Sequence, residues 1–183
     1  VAIKGSRHNG HAYLNDAFKK GVRYFIIEDE SGVSEKMKQQ ADILLVNDSI
    51  HALQQIATSH RLKFDIPIIG ITGSNGKTIV KEWLGQLLSP YYRIVKSPGS
   101  YNSQLGVPLS IMQISGFHTL GIFEAGISRP KEMLKLQNVI RPSIGIFTNI
   151  GTAHDEGFTS IRQKADEKWS LFHCASVVVY NAD

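Results

Sequence analysis

Short apolar runs alternate along this chain with segments whose apolar residues recur at helical spacing. The runs predict strands at 23–29, 42–48, 65–72, 92–97, 119–126, 142–150 and 176–183. The segments between them predict helices at 34–41, 49–64, 78–89, 106–114, 130–140 and 160–172. Strands joined by helices are typical of parallel βαβ units, so we expect an α/β protein built on parallel sheet.

Two of the predicted helices carry further local signals. The helix at 78–89 is expected to turn its large apolar residues to one side, against the sheet; they are Ile79, Trp83, Leu84, Leu87 and Leu88. Pro130 stands at the start of the helix at 130–140, and proline is well tolerated in a first helical turn.

The chain is predicted to divide after the long helix at 49–64. Residues 1–64 then form a small N-terminal α/β domain, and residues 65–183 form a P-loop-type domain with a parallel sheet. We expect both domains to be partial. The chain opens without Met on an apolar stretch, "VAIKG", that is typical of a strand interior, and it stops directly after the last predicted strand.

Composition narrows the class of protein. Apolar residues make up 42% of the chain and charged residues 20%, as in soluble globular proteins. No apolar run approaches the ~20 residues of a transmembrane helix, and no signal peptide is recognisable, so we expect a cytoplasmic protein without a membrane partner. The single Cys174 fits a reducing compartment and is expected to be a buried core residue. A net charge of +4 without a Lys/Arg cluster argues against a nucleic-acid partner.

The most informative motif is "IGITGSNGKTIV" at 69–80, between a predicted strand and a predicted helix. Glycines there let backbone N–H groups converge on an anion at the helix N-terminus. Lys77 and Thr78 stand where the lysine of a phosphate loop reaches phosphates and the hydroxyl reaches Mg²⁺. The usual first glycine is replaced by Ile71. A tight strand-to-helix turn is the structural alternative. The predicted ATP-binding residues are Gly73, Ser74, Asn75, Gly76, Lys77 and Thr78.

The variant loop "TGSNGKT" resembles that of the Mur ligases, the ATP-dependent enzymes of peptidoglycan precursor synthesis. The stretches "AHDEGFTS", "GVPLS" and "GHAY" resemble the MurF-type branch in particular. The resemblance extends over nearly the whole chain. This sequence departs from the family at Ile79, where a hydroxyl residue is usual, and at Asn9, where Asp is usual.

The resemblance implies a set of metal-binding and catalytic residues. Glu124, at the end of the strand "LGIFEAG", would join Thr78 in holding one Mg²⁺; its strand-end position also suits this role chemically. His154 and a carbamylated Lys168 would hold a second Mg²⁺, with Lys164 as the competing lysine. Lys77, Lys168, His154 and Glu124 are then the predicted catalytic residues. A solvated strand-end carboxylate and a solvated helix lysine are the structural alternatives.

The resemblance also implies substrate contacts. Asn102, in "SPGSYNSQLGVPLS", matches an asparagine that reaches the substrate or the γ-phosphate, with turn chemistry as the alternative. Arg7, Gly10 and His11 match the part of the N-terminal domain that holds the UDP-sugar, with a structural loop as the alternative.

The implied activity is addition of D-Ala-D-Ala to UDP-MurNAc-tripeptide through an acyl phosphate, with ATP and two Mg²⁺ ions. The family's C-terminal domain is expected to be absent from these residues, so we expect the fragment alone to be inactive. A MurE-type step, a folylpolyglutamate synthase and a non-catalytic nucleotide-binding module stay open. Some MurF-type modules are fused to an alanine racemase, and this chain shows no motif for the pyridoxal phosphate of that enzyme.

Overall fold

A computed structural model of the protein describes residues 1–5, 8–151 and 157–181. The chain forms two compact units, Val1–Leu53 and Gln54–Asp183. The division falls inside helix α3 (Ser49–Arg61), before the predicted boundary after residue 64. The physical reason is that the second half of α3 packs into the second unit: Ala57 lies in its core, and Arg61 Nε donates to the Ile140 carbonyl at 3.2 Å.

The first unit contains a two-stranded parallel sheet. Strands β1 (Tyr24–Ile27) and β2 (Asp42–Leu45) pair along their whole length and run parallel, as predicted for strands joined by a helix. Helices α1 (Leu14–Lys19) and α2 (Glu35–Gln40) precede and connect them. The core of the unit consists of Ala2, Leu14, Phe18, Phe25, Ile27 and Met37.

Two features of the first unit differ from the sequence prediction. Helix α1 was not expected, because six residues with two buried side chains are too few to show a helical period. Residues 1–5, expected to lie within a strand, make only an isolated bridge between Lys4 and Asn9, together with a hydrogen bond from the Ala2 N–H to the Ile26 carbonyl.

The second unit contains a five-stranded parallel sheet within the described residues, which confirms the predicted α/β class. Its strands are β3 (Ile68–Thr72), β4 (Ile94–Lys96), β5 (Leu120–Glu124), β6 (Ile144–Phe147) and β7 (Val177–Tyr180). The spatial order is β4-β5-β3-β6-β7. The helices are α4 (Lys77–Leu88), α5 (Gly106–Ile111), α6 (Met133–Ile140) and α7 (Ile161–Trp169).

Strand β3 occupies the middle of this sheet and is buried along its whole length. The chain leaves β3 through α4 and skips the neighbouring β5 to form β4, whereas β6 lies on the other side of β3. This reversal of direction creates a crevice at the carboxyl end of β3, the place where ligands bind in open parallel sheets. The loop that follows β3 therefore stands at the position where a ligand site is expected.

Helix α4 packs through only part of the predicted apolar side. Val80, Leu84 and Leu88 pack against the sheet, whereas Ile79, Trp83 and Leu87 are exposed. Residues four apart lie on the same face of a helix, so each set of three forms a row along α4. The two rows are offset by one residue and therefore face directions about 100° apart. The prediction that all the large apolar residues share the buried side was wrong for the second row.

Two smaller expectations were also wrong. Helix α6 begins at Met133 rather than at Pro130, because Lys131 adopts a left-handed conformation (φ 67°) that ends a helical path. Cys174 is exposed rather than part of the core, because it lies in the turn before β7. None of the helices within the described ranges is long and apolar enough to cross a membrane.

Candidate nucleotide site

The loop between β3 and α4 depends on two glycines with positive φ angles. Gly73 has φ 142° and Gly76, which precedes the first turn of α4, has φ 79°. A side chain at position 73 would also overlap Thr148 Oγ1. The glycine spacing recognised in the sequence is therefore required by backbone conformation and by a close approach of the segment after β6.

That segment fastens the loop from the side. The Ser74 N–H donates to the Asn149 carbonyl at 2.9 Å, and the Asn75 N–H donates to Asn149 Oδ1 at 3.0 Å. Thr148 Oγ1 donates in turn to the Asn75 carbonyl at 2.6 Å. Thr148 and Asn149 were not predicted from the sequence as partners of the loop. Their position directly after a strand of the same sheet was the available signal.

Lys77 folds back over the loop from the first turn of α4. Its Nζ donates to the carbonyls of Gly73 at 2.8 Å and Ser74 at 3.2 Å. Burial lowers the pKa of Lys77; Lys164 acts in the same direction and Glu124 opposes it. The ammonium group thus lies on the loop itself, where a bound polyphosphate would meet it.

Glu124, Thr78 and Asn102 are brought together at the carboxyl ends of the strands. Glu124 ends β5 and is fully buried. Thr78 Oγ1 donates to Glu124 Oε2 at 3.0 Å, and Asn102 Nδ2 lies 3.5 Å from the same oxygen. Three residues that the sequence analysis placed in one site, from three separate segments, therefore meet at one carboxylate oxygen.

Lys81 is a member of this cluster that sequence analysis missed. It lies on α4 one turn after Lys77 and is fully buried. Its Nζ lies 2.9 Å from Glu124 Oε1 and donates to the carbonyls of Ser97, at 2.8 Å, and Gly99. A lysine next to Val80, within the buried stripe of an amphipathic helix, was the signal in the sequence.

Two further lysines reach the site from α7, and both are buried. Lys168 Nζ donates to the Gly73 carbonyl at 3.1 Å, and Lys164 Nζ donates to the Gly151 carbonyl at 2.6 Å. Burial lowers the pKa of Lys168 to about 8, with Lys77 and Lys164 contributing to the shift. The solvated-helix alternative for Lys168 is thus excluded by its burial, and its neighbour Glu167 caps α6 by accepting from the Met133 N–H at 3.0 Å.

Together these residues form a cluster of buried lysines around the buried carboxylate of Glu124, with Glu82 at its edge, 3.2 Å from Lys81 Nζ. A helix N-terminus with loop N–H groups and ammonium groups is suited to a polyphosphate. Thr78 Oγ1 and Glu124 Oε2 add oxygen donors of the kind Mg²⁺ prefers, whereas Glu124 Oε1 faces Lys81 Nζ at 2.9 Å in an ion pair without hydrogen-bond geometry. In the described ranges, no group of three or more His, Cys, Asp or Glu side chains is arranged to hold a metal ion.

The predicted substrate-binding residues of the first unit have structural contacts. His11 Nε2 accepts from the Glu28 N–H at 2.9 Å, so its Nδ1 carries the proton and donates to Asn9 Oδ1 at 2.8 Å. A side chain at Gly10 would collide with the backbone of Ile3. Both ring nitrogens of His11 are therefore occupied within the unit. Arg7 and His154 lie outside the described residues.

Comparison with known protein families shows which family this chain belongs to. A sequence model of the Mur ligase middle domain matches residues 71–183, more than half of the chain. The chain belongs to the Mur ligase family. The match includes the segments that supply Lys77, Glu124 and Lys168, so the family resemblance noted in the sequence is confirmed over the part of the chain that builds the site.

Curated Mur ligase relatives match almost the whole chain. The UDP-N-acetylmuramoyl-tripeptide--D-alanyl-D-alanine ligase of Treponema pallidum is 35% identical over 94% of this chain, and that of Borreliella burgdorferi is 37% identical over 91%. The same enzyme of Bacillus subtilis is 31% identical over 94%. The matched region spans 39%, 37% and 37% of these relatives, so the chain corresponds to less than half of their length.

Solved Mur ligase structures share the fold. MurF ligase from Thermotoga maritima in complex with ADP superposes with a TM-score of 0.88 at 29% identity, covering all of this chain and 42% of that one. A MurF structure from Acinetobacter baumannii gives a TM-score of 0.89 at 25% identity, with 100% and 40% covered. The predicted fold class and the MurF-type resemblance are both confirmed by these matches.

Proposed function

We propose that the complete protein containing this chain is an ATP-dependent ligase that joins D-Ala-D-Ala to UDP-MurNAc-tripeptide. The observation that carries the proposal is the convergence of Lys77, Thr78 and Glu124 at the loop after β3. Relatives named for this reaction match the chain over almost its whole length. The ammonium groups of Lys77 and Lys168 at this loop support the proposal, because such a reaction must bring two anions together.

In the first step, an oxygen of the tripeptide's terminal carboxylate attacks the γ-phosphorus of ATP. The bond from that phosphorus to the bridging oxygen breaks, and an acyl phosphate and ADP are formed. Carboxylate and triphosphate repel each other, so this step depends on charge neutralisation and in-line positioning. Lys77 and the N-terminus of α4 supply positive charge at the phosphates, and Gly73 and Gly76 give the backbone the shape that lets it approach them.

In the second step, the amine of D-Ala-D-Ala attacks the acyl carbon. Phosphate leaves, the amine loses a proton, and the new amide remains. The cationic side chains around the loop stabilise the negative charge that develops on the departing phosphate. Asn102 is proposed to contact the substrate or the γ-phosphate, and its position 3.5 Å from Glu124 Oε2, next to Thr78, supports this role.

The residues present fit the Mg²⁺ that phosphoryl transfer from ATP requires. Thr78 and Glu124 would hold one ion, and Mg²⁺ would supply charge neutralisation between the phosphate oxygens. His154 and Lys168 are proposed for a second ion. Lys168 could serve only as a carbamate, since an ammonium group cannot bind a cation.

The surroundings of Lys168 support carbamylation. The amine adds to CO₂ and loses a proton, which requires the neutral form. With a pKa of about 8, roughly one-tenth of Lys168 is neutral at pH 7, far more than for an ordinary lysine. Burial is the largest cause of this low pKa; the positive charges of Lys77 and Lys164, which add to it, would also stabilise the resulting anion.

Substrate contacts in the first unit stay a prediction. Arg7 is the residue of that set whose side-chain chemistry suits the UDP diphosphate. Gly10 and His11 make contacts within the first unit: the Gly10 N–H donates to the Ile3 carbonyl, and the His11 ring contacts Asn9 and Glu28.

The test is ADP release by the complete gene product that contains this chain. One reaction receives Mg-ATP, UDP-MurNAc-tripeptide and D-Ala-D-Ala; a parallel reaction receives UDP-MurNAc-dipeptide and a diamino acid. We expect ADP only in the first. Release only in the second would move the protein to a MurE-type step. Silence in both, followed by release with a folate and glutamate, would identify a folylpolyglutamate synthase, and silence in all three would leave a nucleotide-binding module. The 183-residue chain alone is expected to release no ADP.

A further inference from the structure

Lys81 is a buried charge that the proposed mechanism does not use. It has no exposed surface, and the carboxylate of Glu124 that it faces has none either. Removing an ammonium group from water is costly, and it is tolerated in proteins only where partners replace the water. Here the partners come from three directions: Glu124 at 2.9 Å, Glu82 Oε1 at 3.2 Å, and the carbonyls of Ser97 and Gly99.

The contacts of Lys81 give the two oxygens of Glu124 different surroundings. Oε1 faces Lys81 Nζ. Oε2 accepts from Thr78 Oγ1 at 3.0 Å and lies 3.5 Å from Asn102 Nδ2. A carboxylate on a flexible stem has no intrinsic reason to keep this orientation, so the group that holds Oε1 also decides that Oε2 is turned towards the Thr78 hydroxyl.

Lys81 also joins segments that are distant in sequence. Ser97 follows β4, and its carbonyl is one of the two acceptors; its Oγ accepts from the Glu124 N–H at 3.2 Å. Gly99 lies on the same stretch, three residues before Asn102. One ammonium group thus ties α4, the end of β5 and the segment that carries Asn102 into one arrangement.

We propose that Lys81 is a positioning residue for the divalent cation of the bound nucleotide: it holds Glu124 Oε1 so that Oε2 is presented beside Thr78. The assignment rests on the proposed function, because it needs a nucleotide and Mg²⁺ at this loop. It predicts an effect opposite to that of simple charge repulsion. A lysine that acted only by its charge would weaken cation binding, and its removal would tighten it. A lysine that orients the ligand strengthens binding, and its removal weakens it.

The test compares two lysines of the same neighbourhood. Lys81→Met keeps the length of the buried stem and removes the ammonium group. The matched control is Lys96→Met. Lys96 is half-buried on β4 and pairs with Glu82, which Lys81 also contacts at 3.2 Å, so this variant removes a lysine partner of Glu82 and leaves the pair of Lys81 with Glu124 in place. ADP binding to the complete protein is measured by calorimetry over a Mg²⁺ titration and in EDTA, and urea unfolding establishes that each variant is folded.

For Lys81→Met we expect the apparent dissociation constant for Mg²⁺ to rise about tenfold or more, which means weaker binding. This is the range seen when a group that orients a metal ligand is removed. ADP affinity in EDTA should change by less than about threefold, and Lys96→Met should leave the Mg²⁺ dependence unchanged. Lys81→Gln, which can still donate to the carbonyls of Ser97 and Gly99, should shift the Mg²⁺ constant in the same direction.

Distinct outcomes overturn the assignment. If the dissociation constant for Mg²⁺ is unchanged in folded Lys81→Met, the residue has a structural role only. If that constant is lower, the residue acts on the cation by charge repulsion. The proposed function stands in both cases. If neither Lys81→Met nor Lys81→Gln folds, Lys81 is assigned to stability alone. A wild-type protein whose ADP binding ignores Mg²⁺ overturns this assignment and the proposed Mg²⁺ site together, whatever the variants do.

Discussion

The ammonium group of Lys168 donates a hydrogen bond to the carbonyl oxygen of Gly73 at 3.1 Å, across 95 residues of sequence. The same carbonyl accepts from Lys77 at 2.8 Å. Helix α7 is therefore attached to the phosphate loop by a charged side chain that has little exposure to water.

The buried charge of Lys168 should destabilise the fold at neutral pH. The pKa of Lys168 is about 8 in the folded protein and 10.5 for a free lysine. Below pH 8 the folded protein therefore holds a buried charge that lowers its free energy of unfolding. Between pH 8 and 10.5 the folded form releases the proton while the unfolded form holds it, so wild-type stability rises with pH. Lys168→Met should accordingly be more stable than wild type by up to about 3 kcal/mol at pH 7.

Urea unfolding in CO₂-free buffer at pH 7, 9 and 10.5 measures this difference. The advantage of Lys168→Met should shrink steadily above pH 8. Lys135→Met, which changes an exposed lysine of α6, should show no such trend. A constant difference between Lys168→Met and wild type over the whole range would show that the charge is not the cause.

Glycine substitutions should have graded costs around the loop. Gly73→Ala forces a side chain onto Thr148 Oγ1 at a positive φ, and we expect a loss of at least about 3 kcal/mol in the free energy of unfolding. Gly76→Ala meets open space and should cost about 1 kcal/mol for its positive φ alone. Gly116→Ala, with open space and no positive φ, should change stability by less than about 0.5 kcal/mol.

Denaturant unfolding of the three variants tests the order. Equal costs for Gly73→Ala and Gly76→Ala would mean that the close approach of Thr148 does not constrain the loop.

Lys77 should dominate the affinity for nucleotide. Removing a charge-assisted hydrogen bond to phosphate costs about 1.5–3 kcal/mol, so Lys77→Ala should weaken ADP binding by about ten- to a hundredfold. Calorimetry on the complete protein measures the change. Lys63→Ala, an exposed lysine after α3 and before β3, serves as the control and should bind as wild type does. ADP affinity that survives Lys77→Ala would place the nucleotide away from this loop.

Cys174 should react as an exposed thiol. It lies before β7, at the end of the sheet opposite the loop, and accepts a hydrogen bond from Gln137 Nε2 at 3.0 Å. A thiol reagent such as DTNB should modify one group per chain in the folded protein within minutes, and Cys174→Ser should abolish the reaction. Modification is expected to leave ADP affinity unchanged. A thiol that reacts only after denaturation would restore the core position expected from sequence.

Much of the site was predictable because its signals are local. The strand before the loop, the glycines at 73 and 76 and the residues Lys77 and Thr78 lie within one short stretch, and their chemistry follows from their order. Glu124 was predictable for a related reason: a carboxylate at the end of a strand must lie at the carboxyl edge of a parallel sheet, where the loop also lies. The strand–helix alternation needed only periodicity.

What the sequence by itself determined is therefore the α/β class, the position of the loop and the residues at its edge. Only the tertiary structure decided which charges meet. Whether a lysine is solvated or buried depends on what packs over it, and for Lys81 and Lys168 that is backbone from segments far away in the chain. The tertiary structure also decided which apolar row of α4 is exposed. Two rows of the helix, one of which contains Trp83, have the same spacing in the sequence, and the sheet covers only the other row.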